Sequence, residues 1–225
     1  MQIFLYKCIK MITNETLTIQ EYNEIFQFNS TQVIIQRISN LPKAVDILNK
    51  IKNFHVMISR NGMSTEQSKT DSIFNFMKSN NNNEYIFHNI FRDPRIFGIV
   101  CELIPPKTLK NMRISRLYIG SRGTGSHIHN HSVAINYLLY GRKQWIVFPN
   151  TSKNSRFLSE NKMLYGDINE NPLDWFESHI SMLQENIEDL HIFVQESGTV
   201  VNVPARFYHG VYNLEATVGI TYSWY

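Results

Sequence analysis

Cysteine is scarce in this 225-residue chain, which has only Cys8 and Cys101. Two thiols make no disulfide framework, so a reducing compartment fits best. Neither thiol has a histidine and an acid arranged around it in a local signature, which argues against a cysteine nucleophile. Long apolar runs are missing as well. The N-terminal stretch MQIFLYKCIKMITNE is interrupted by Lys7 and Lys10, too soon for a membrane span or a secretion signal. An intracellular placement, cytoplasmic or nuclear, with no membrane association, is the expectation. An excess of one charge is also absent: 22 basic residues stand against 19 acidic ones, a net charge of +3. The basic residues are scattered rather than gathered in a stripe, so no nucleic-acid partner is expected. There is no internal repeat and no linker, and the length suffices for one substantial core. The sequence assigns no oligomeric state.

What is present divides into two halves. Residues 14–30 read as mainly helical, with an apolar set at Leu17, Tyr22, Ile25 and Phe26. Residues 32–38 form a β-rich run, and residues 41–52 carry apolar side chains at helical spacing with Pro42 in the first turn. A strand over 54–59, a helix over 71–78 capped by Asp71, and a loop over 79–83 follow. From residue 113 onward, short apolar strands alternate with turn signals: 114–120, 126–141, 143–149, 198–204, 205–214 and 216–224. That is the spacing of a jelly roll. A polar helical segment from Pro172 to Asp189, led by Asn171 and Pro172, interrupts it. The expected architecture is therefore mainly β. A jelly-roll barrel over 113–225 carries an insertion at about 150–194, and a helical and mixed flank over 1–112 belongs to the same single domain, 1–225.

His127, His129 and His131 alternate along one of these strands. On a strand all three point to one face, about 6.5–7 Å apart between neighbours. Two such imidazoles converge on one ion at roughly 2.0–2.2 Å per bond. His209, in a later β-rich segment, is the best third ligand. The pattern alone leaves two readings open, a metal site or a row of surface histidines. His55, His88, His179 and His191 have no partners in the sequence and read as structural or surface residues. Trp145, Trp175 and Trp224 read as core.

At these residues the chain resembles a known family. Gly120 to Pro149, with GTG at 123–125, the histidines after it and GRKQW at 141–145, resembles the metal-binding half of Jumonji-C and cupin-like hydroxylases. Gln195 to Pro204 followed by Arg206 to Trp224 resembles the other half, and PLDWF at 172–176 the helix between them. The resemblance implies a double-stranded β-helix barrel that binds iron(II) and consumes 2-oxoglutarate. The family's usual ligands are His-x-Asp/Glu and a distal His. Here the carboxylate is absent. Counted back from GRKQW, His129 and His131 align with a His-x-His sub-branch, and with His209 they are the implied metal ligands. Counted from GTG, His127 and His129 align instead, so His127 is the alternative.

The resemblance also assigns a co-substrate pocket. Lys143 would pair with the distal carboxylate of 2-oxoglutarate, with Thr221 as a supporting hydroxyl. Asn136 would lie near the chelating end, with Ser126 or Tyr118 adding a hydroxyl. Taken by itself, Lys143 reads as a solvated hairpin lysine, and Asn213 as a residue fixing the turn after the distal histidine. The implied activity is a 2-oxoglutarate-dependent dioxygenase hydroxylating a side chain of a protein or peptide. The rivals are a catalytically inactive interaction module of the same fold and a metal-dependent cupin acting on a small molecule without 2-oxoglutarate.

Overall fold

In a computed structural model, residues 9–27, 30–60, 69–79, 84–166 and 170–224 are described. Cys8 and most of the expected loop at 79–83 lie outside them. The flank comprises β1 (Ile9–Leu17), α1 (Ile19–Ile25), β2 (Val33–Ile38), α2 (Ala44–Ile51), β3 (His55–Arg60), β4 (Lys69–Ser72), α3 (Ile73–Lys78), β5 (Glu84–Asn89) and α4 (Pro94–Leu103). The barrel follows as β6 (Met112–Gly120), β7 (Gly125–His129), β8 (Val133–Tyr140), β9 (Arg142–Phe148), α5 (Ser152–Glu160), α6 (Pro172–Asn186), β10 (His191–Glu196), β11 (Thr199–Val203), β12 (Tyr208–Asn213) and β13 (Thr217–Trp224). Among the described residues, nine strands form one sheet in the order β1-β2-β11-β8-β13-β6-β5-β3-β4, and four form a second in the order β10-β9-β12-β7. The protein is mainly β, a jelly-roll barrel of the double-stranded β-helix type. The flank shares its larger sheet, because β2 pairs with β11 and β5 with β6.

Several local expectations shift. Residues 14–17 belong to β1 rather than to a helix: after an irregularity in the parallel ladder, Thr16 and Leu17 pair with Arg37 and Ile38 of β2. The helix begins only after Thr18, whose hydroxyl and the Glu21 carboxylate form a capping box. Pro42 lies outside α2, ahead of the cap residue Lys43. Ser72, not Asp71, caps α3: its Oγ accepts from Asn75 N at 3.1 Å, while Asp71 accepts from the Asn75 side-chain amide at 2.8 Å. Asn171 and Pro172 do start α6, with Asn171 Oδ1 accepting from Leu173 N at 2.9 Å. The insertion holds an additional helix, α5, and its end overlaps β10, which pairs with β9 throughout.

Both sheets carry apolar side chains on their outer faces as well as inside. On the large sheet, Leu117, Ile119, Ile135, Tyr137, Ile220 and Tyr222 face outward into a core shared with Ile47, Ile51, Ile96 and Val100 of α2 and α4. Two long-range bonds tie this flank down: Tyr222 Oη donates to Ile104 O at 2.6 Å and Trp224 Nε1 to Thr108 O at 2.9 Å. On the small sheet, Ile128, Ile146, Phe148 and Tyr208 face outward against Leu158 of α5 and Trp175 and Phe176 of α6. Helices therefore cover both outer faces, and the residues between those apolar positions turn inward. On β13 these are Thr221 and Ser223; on β8, Ala134 and Asn136; on β6, Arg116 and Tyr118. Inside the barrel these polar side chains share the space with an apolar cluster of Val33, Trp145, Val147, Val201, Val203 and Val211, and the cavity lies between the two. None of the helices is long and apolar enough to cross a membrane among the described residues.

Gly125 opens β7, opposite Tyr212 of β12. A Cβ there would meet Val211 O at 2.0 Å, so Gly125→Ala must push β7 and β12 apart. We expect that variant to lose about 1–3 kcal/mol in urea unfolding. Gly98, exposed within α4, has nothing within 4 Å of an added Cβ. Gly98→Ala should stabilise the fold by about 0.5–1 kcal/mol.

Candidate metal centre and co-substrate cavity

Strands β7 and β12 set the centre of the site. In their antiparallel ladder His129 stands opposite His209, and Ser126 opposite Val211. Three steps on β7 thus match two on β12, so β7 carries a bulge between Ser126 and His129. The extra residue reverses the alternation. Ser126 and His129 both face the cavity, while His127 turns to the opposite face. There His127 meets Trp175 edge-on at 5.6 Å between ring centroids, beneath Gly166. The expectation that the three neighbouring histidines share a face therefore fails at His127. His131 lies beyond the end of β7, in the connection to β8 that the Arg206 N to His131 O bond holds at 2.7 Å.

His129, His131 and His209 converge, with ligand atoms all within 4.8 Å of one another. Three ligand atoms each about 2.1 Å from one ion lie about 3.0–3.6 Å apart, so the triad closes on an ion by drawing its rings together. His129 and His209 are buried, and His131 is exposed at the cavity mouth. Each ring is held through the same nitrogen. His129 Nδ1 lies 2.8 Å from His127 O, His131 Nδ1 2.6 Å from Ser132 O, and His209 Nδ1 3.1 Å from Phe207 O. A carbonyl only accepts, so each Nδ1 carries the proton and each Nε2 keeps its lone pair. Burial, reinforced by the neighbouring His131, pushes the His129 pKa down to about 4. Burial and then His129 and His131 hold His209 well below the ordinary imidazole value. Near neutral pH these two rings are neutral, as metal ligation requires.

Behind the triad lies a cavity of about 120 Å³. It brings together Tyr118, Ser126, Asn136, Lys143 and Thr221 with the three histidines. Lys143 is not a solvated hairpin residue: it is 1% exposed. Its Nζ sits 4.8 Å from the centre of the Tyr118 ring, and burial pulls its pKa down to about 7. Asn136 Nδ2 donates to Thr221 Oγ1 at 2.7 Å, whereas Asn136 Oδ1 is buried with no hydrogen-bond partner. Trp145, which also lines the cavity, is anchored by its Nε1 donating to Gln195 Oε1 at 2.8 Å. Asn213 ties the end of β12 to the segment leading into β7: its Nδ2 donates to Thr124 Oγ1 at 3.0 Å.

Sequence reasoning passed over Arg116, Tyr85 and Phe87, all of which line the cavity. The signal for Arg116 was available. A cation two residues before Tyr118 in the buried strand SRLYIG takes the same inward face. Tyr85 and Phe87 come from the flank, and only the β5–β6 pairing brings them to the cavity. The remaining histidines stand apart from the triad. His88 Nδ1 accepts from Met57 N at 3.3 Å, His179 Nδ1 donates to Trp175 O at 2.7 Å, His55 is exposed and His191 is half-buried.

Comparison with known proteins bears on this geometry. Residues 116–224 match a family described as "JmjC domain, hydroxylase". The chain is 26% identical over 142 residues to the zebrafish (Danio rerio) "2-oxoglutarate and iron-dependent oxygenase JMJD4", covering 61% of this chain and 32% of that protein. It is 29% identical over 114 residues to the mouse (Mus musculus) protein of the same name, covering 48% of this chain and 25% of that one. The chain thus spans a third or less of the length of these relatives. Residues 116–224, which carry the barrel's inward-facing polar residues and its convergent histidines, are the part of this chain that matches the JmjC-domain family.

Proposed function

We propose that this protein is an iron(II)- and 2-oxoglutarate-dependent oxygenase that hydroxylates a side chain of a protein or peptide. The observation that carries the reading is one cavity holding a triad of proton-oriented imidazoles and, deeper in, a buried lysine with no carboxylate partner among the described residues. In this reading His129, His131 and His209 hold the metal through Nε2, and Lys143 holds the distal carboxylate of the oxo acid. The buried, unpartnered Asn136 Oδ1 marks a further place where a ligand or a water is needed. Iron(II) with 2-oxoglutarate supplies oxygen activation, the oxo acid giving up two electrons as it becomes succinate and carbon dioxide.

The chain's own residues do the rest. The Nδ1–carbonyl bonds set the tautomer and orient each ring before loading. Three neutral imidazoles leave the full charge of a divalent ion in place, where a carboxylate would cancel one unit. Trp145 and Val211 wall the cavity between the triad and Lys143 and keep water out. A cavity of about 120 Å³ is well below the several hundred Å³ of a typical whole-ligand pocket. It suits a small oxo acid, and leaves a larger substrate to present one side chain at the mouth, beside the exposed His131.

Three outcomes test this. Iron or manganese should raise the melting temperature of the wild type and not of His129→Ala or His209→Ala, and 2-oxoglutarate should add a further increment. Saturation at 100 times the dissociation constant corresponds to about 2.7 kcal/mol. An increment from metal alone, with none from the oxo acid, would favour a cupin of another chemistry. Lys143→Ala should weaken 2-oxoglutarate about 10- to 150-fold in calorimetric titration, the loss of one hydrogen bond to a charged group. Because only protonated Lys143 pairs with the carboxylate, wild-type affinity should also fall as pH rises above about 7. Finally, unfolding frees His129 and His209 to take up protons near the ordinary value of 6.5, which their folded forms resist. Their contribution to stability is complete above that pH and is lost as pH falls toward 4. Urea midpoints of the metal-free protein should fall between pH 7 and 5, and a His129→Gln/His209→Gln variant should show a flatter profile.

A further inference from the structure

The cavity holds a second cation that the reading above leaves without a role. Arg116 is half-buried on β6, its guanidinium carbon 3.9 Å from the centre of the Phe87 ring, over whose face it lies. Stacking on an aromatic face fixes the plane of a guanidinium and leaves its N–H edge free to donate. In the sheet register Arg116 stands beside Thr221, which stands beside Asn136, so the three form one row across β6, β13 and β8. Lys143 comes from the opposite sheet. There the ladder runs from His209 opposite Val147, through Val211 opposite Trp145, to Asn213 opposite Lys143, which places the lysine two levels from the triad. Arg116 belongs to the triad side. After burial and His131, its charge is among the influences that keep His129 neutral.

One small cavity is thus bracketed by two positive groups, and no acidic residue lines it. Ion pairs among the described residues lie elsewhere, as at Lys50–Glu102, Lys69–Glu84, Asp93–Arg95, Arg142–Glu215, Lys153–Glu188 and Arg156–Glu160. The histidine triad brings no negative charge, and a divalent ion would add two more positive ones. Partly buried charges of one sign need a counter-charge, and the guanidinium edge matches a carboxylate in shape.

We propose that Arg116 is a second carboxylate-binding residue, so that the cavity selects dicarboxylates, with one carboxylate on Lys143 and the other on Arg116. This rests on the co-substrate reading of the same cavity, and it makes the recognition of 2-oxoglutarate two-ended even before metal binds. A monocarboxylic oxo acid would satisfy one cation and leave the other bare.

A symmetric ligand isolates the effect. Glutarate carries a carboxylate at each end, and its monoamide, glutaramate, carries one. If a single cation mattered, glutaramate would place its one carboxylate there and bind within about twofold of glutarate. With two cations engaged, glutarate should bind about tenfold or more tightly, the gain of one charge-assisted bond. Calorimetric titration of the full chain, freed of metal on a chelating resin, measures both affinities without any substitution. In Arg116→Gln the preference for glutarate should collapse to about twofold while glutaramate binding stays nearly unchanged. Arg116→Lys should retain part of the preference. A wild-type preference within about twofold overturns the proposal, as does an Arg116→Gln variant that keeps the wild-type ratio. If glutaramate then still depends on Lys143, shown by its loss in Lys143→Ala, the co-substrate reading stands and only the role of Arg116 falls. If neither ligand binds the wild type, both fall together.

Discussion

The site depends on three backbone carbonyls, each accepting the Nδ1 proton of one histidine. A histidine side chain has two rotatable bonds and two neutral tautomers, and an ion can use it only when the right nitrogen faces inward with its lone pair exposed. The carbonyls of His127, Ser132 and Phe207 make that choice for His129, His131 and His209. These carbonyls stand where they do because of the local backbone: the bulge in β7, the turn into β8 and the start of β12. The bulge matters most, since without the extra residue His129 would share a face with His127 and point at Trp175 instead of into the barrel.

A second constraint follows from the packing of the two sheets. Ordinary β-sandwiches bury apolar side chains between their sheets. Here the outer faces are apolar as well and are sealed by helices, and the interior holds Asn136, Thr221, Tyr118, Lys143 and Arg116 beside an apolar cluster around Trp145 and Val147. The flank is therefore part of the site's construction. It supplies the cover for the outer face of the large sheet and, through β5, the aromatic platform on which Arg116 lies. Seating a lysine among such walls costs free energy, visible in the depression of its pKa to about 7. A charge kept at that cost is better explained by a ligand that completes it than by a contribution to folding.

Much of this was legible in the sequence, for identifiable reasons. Barrel strands announce themselves because period-two patterns bounded by turn residues are local properties, and the caps at Asn171 and Pro172 are local as well. The residues that gather around the cavity were found through resemblance to a family rather than through periodicity, which on its own left Lys143 a surface residue. What stayed hidden is non-local. Residues 14–17 are a strand because β2 lies beside them. His127 leaves the group because of a mismatch between two strands far apart in sequence, which no pattern within β7 reveals. Arg116 did carry a sign, a cation in an otherwise buried strand, but its meaning needs the register that sets it beside Thr221 and against Phe87.

The most direct test of the account is X-ray absorption at the iron edge of the anaerobically loaded full chain, with and without 2-oxoglutarate. The account predicts three imidazole nitrogens around the ion in both states, and two oxygen neighbours replacing solvent when the oxo acid is added. A site with fewer than three imidazoles, or one whose coordination does not change with 2-oxoglutarate, would contradict it.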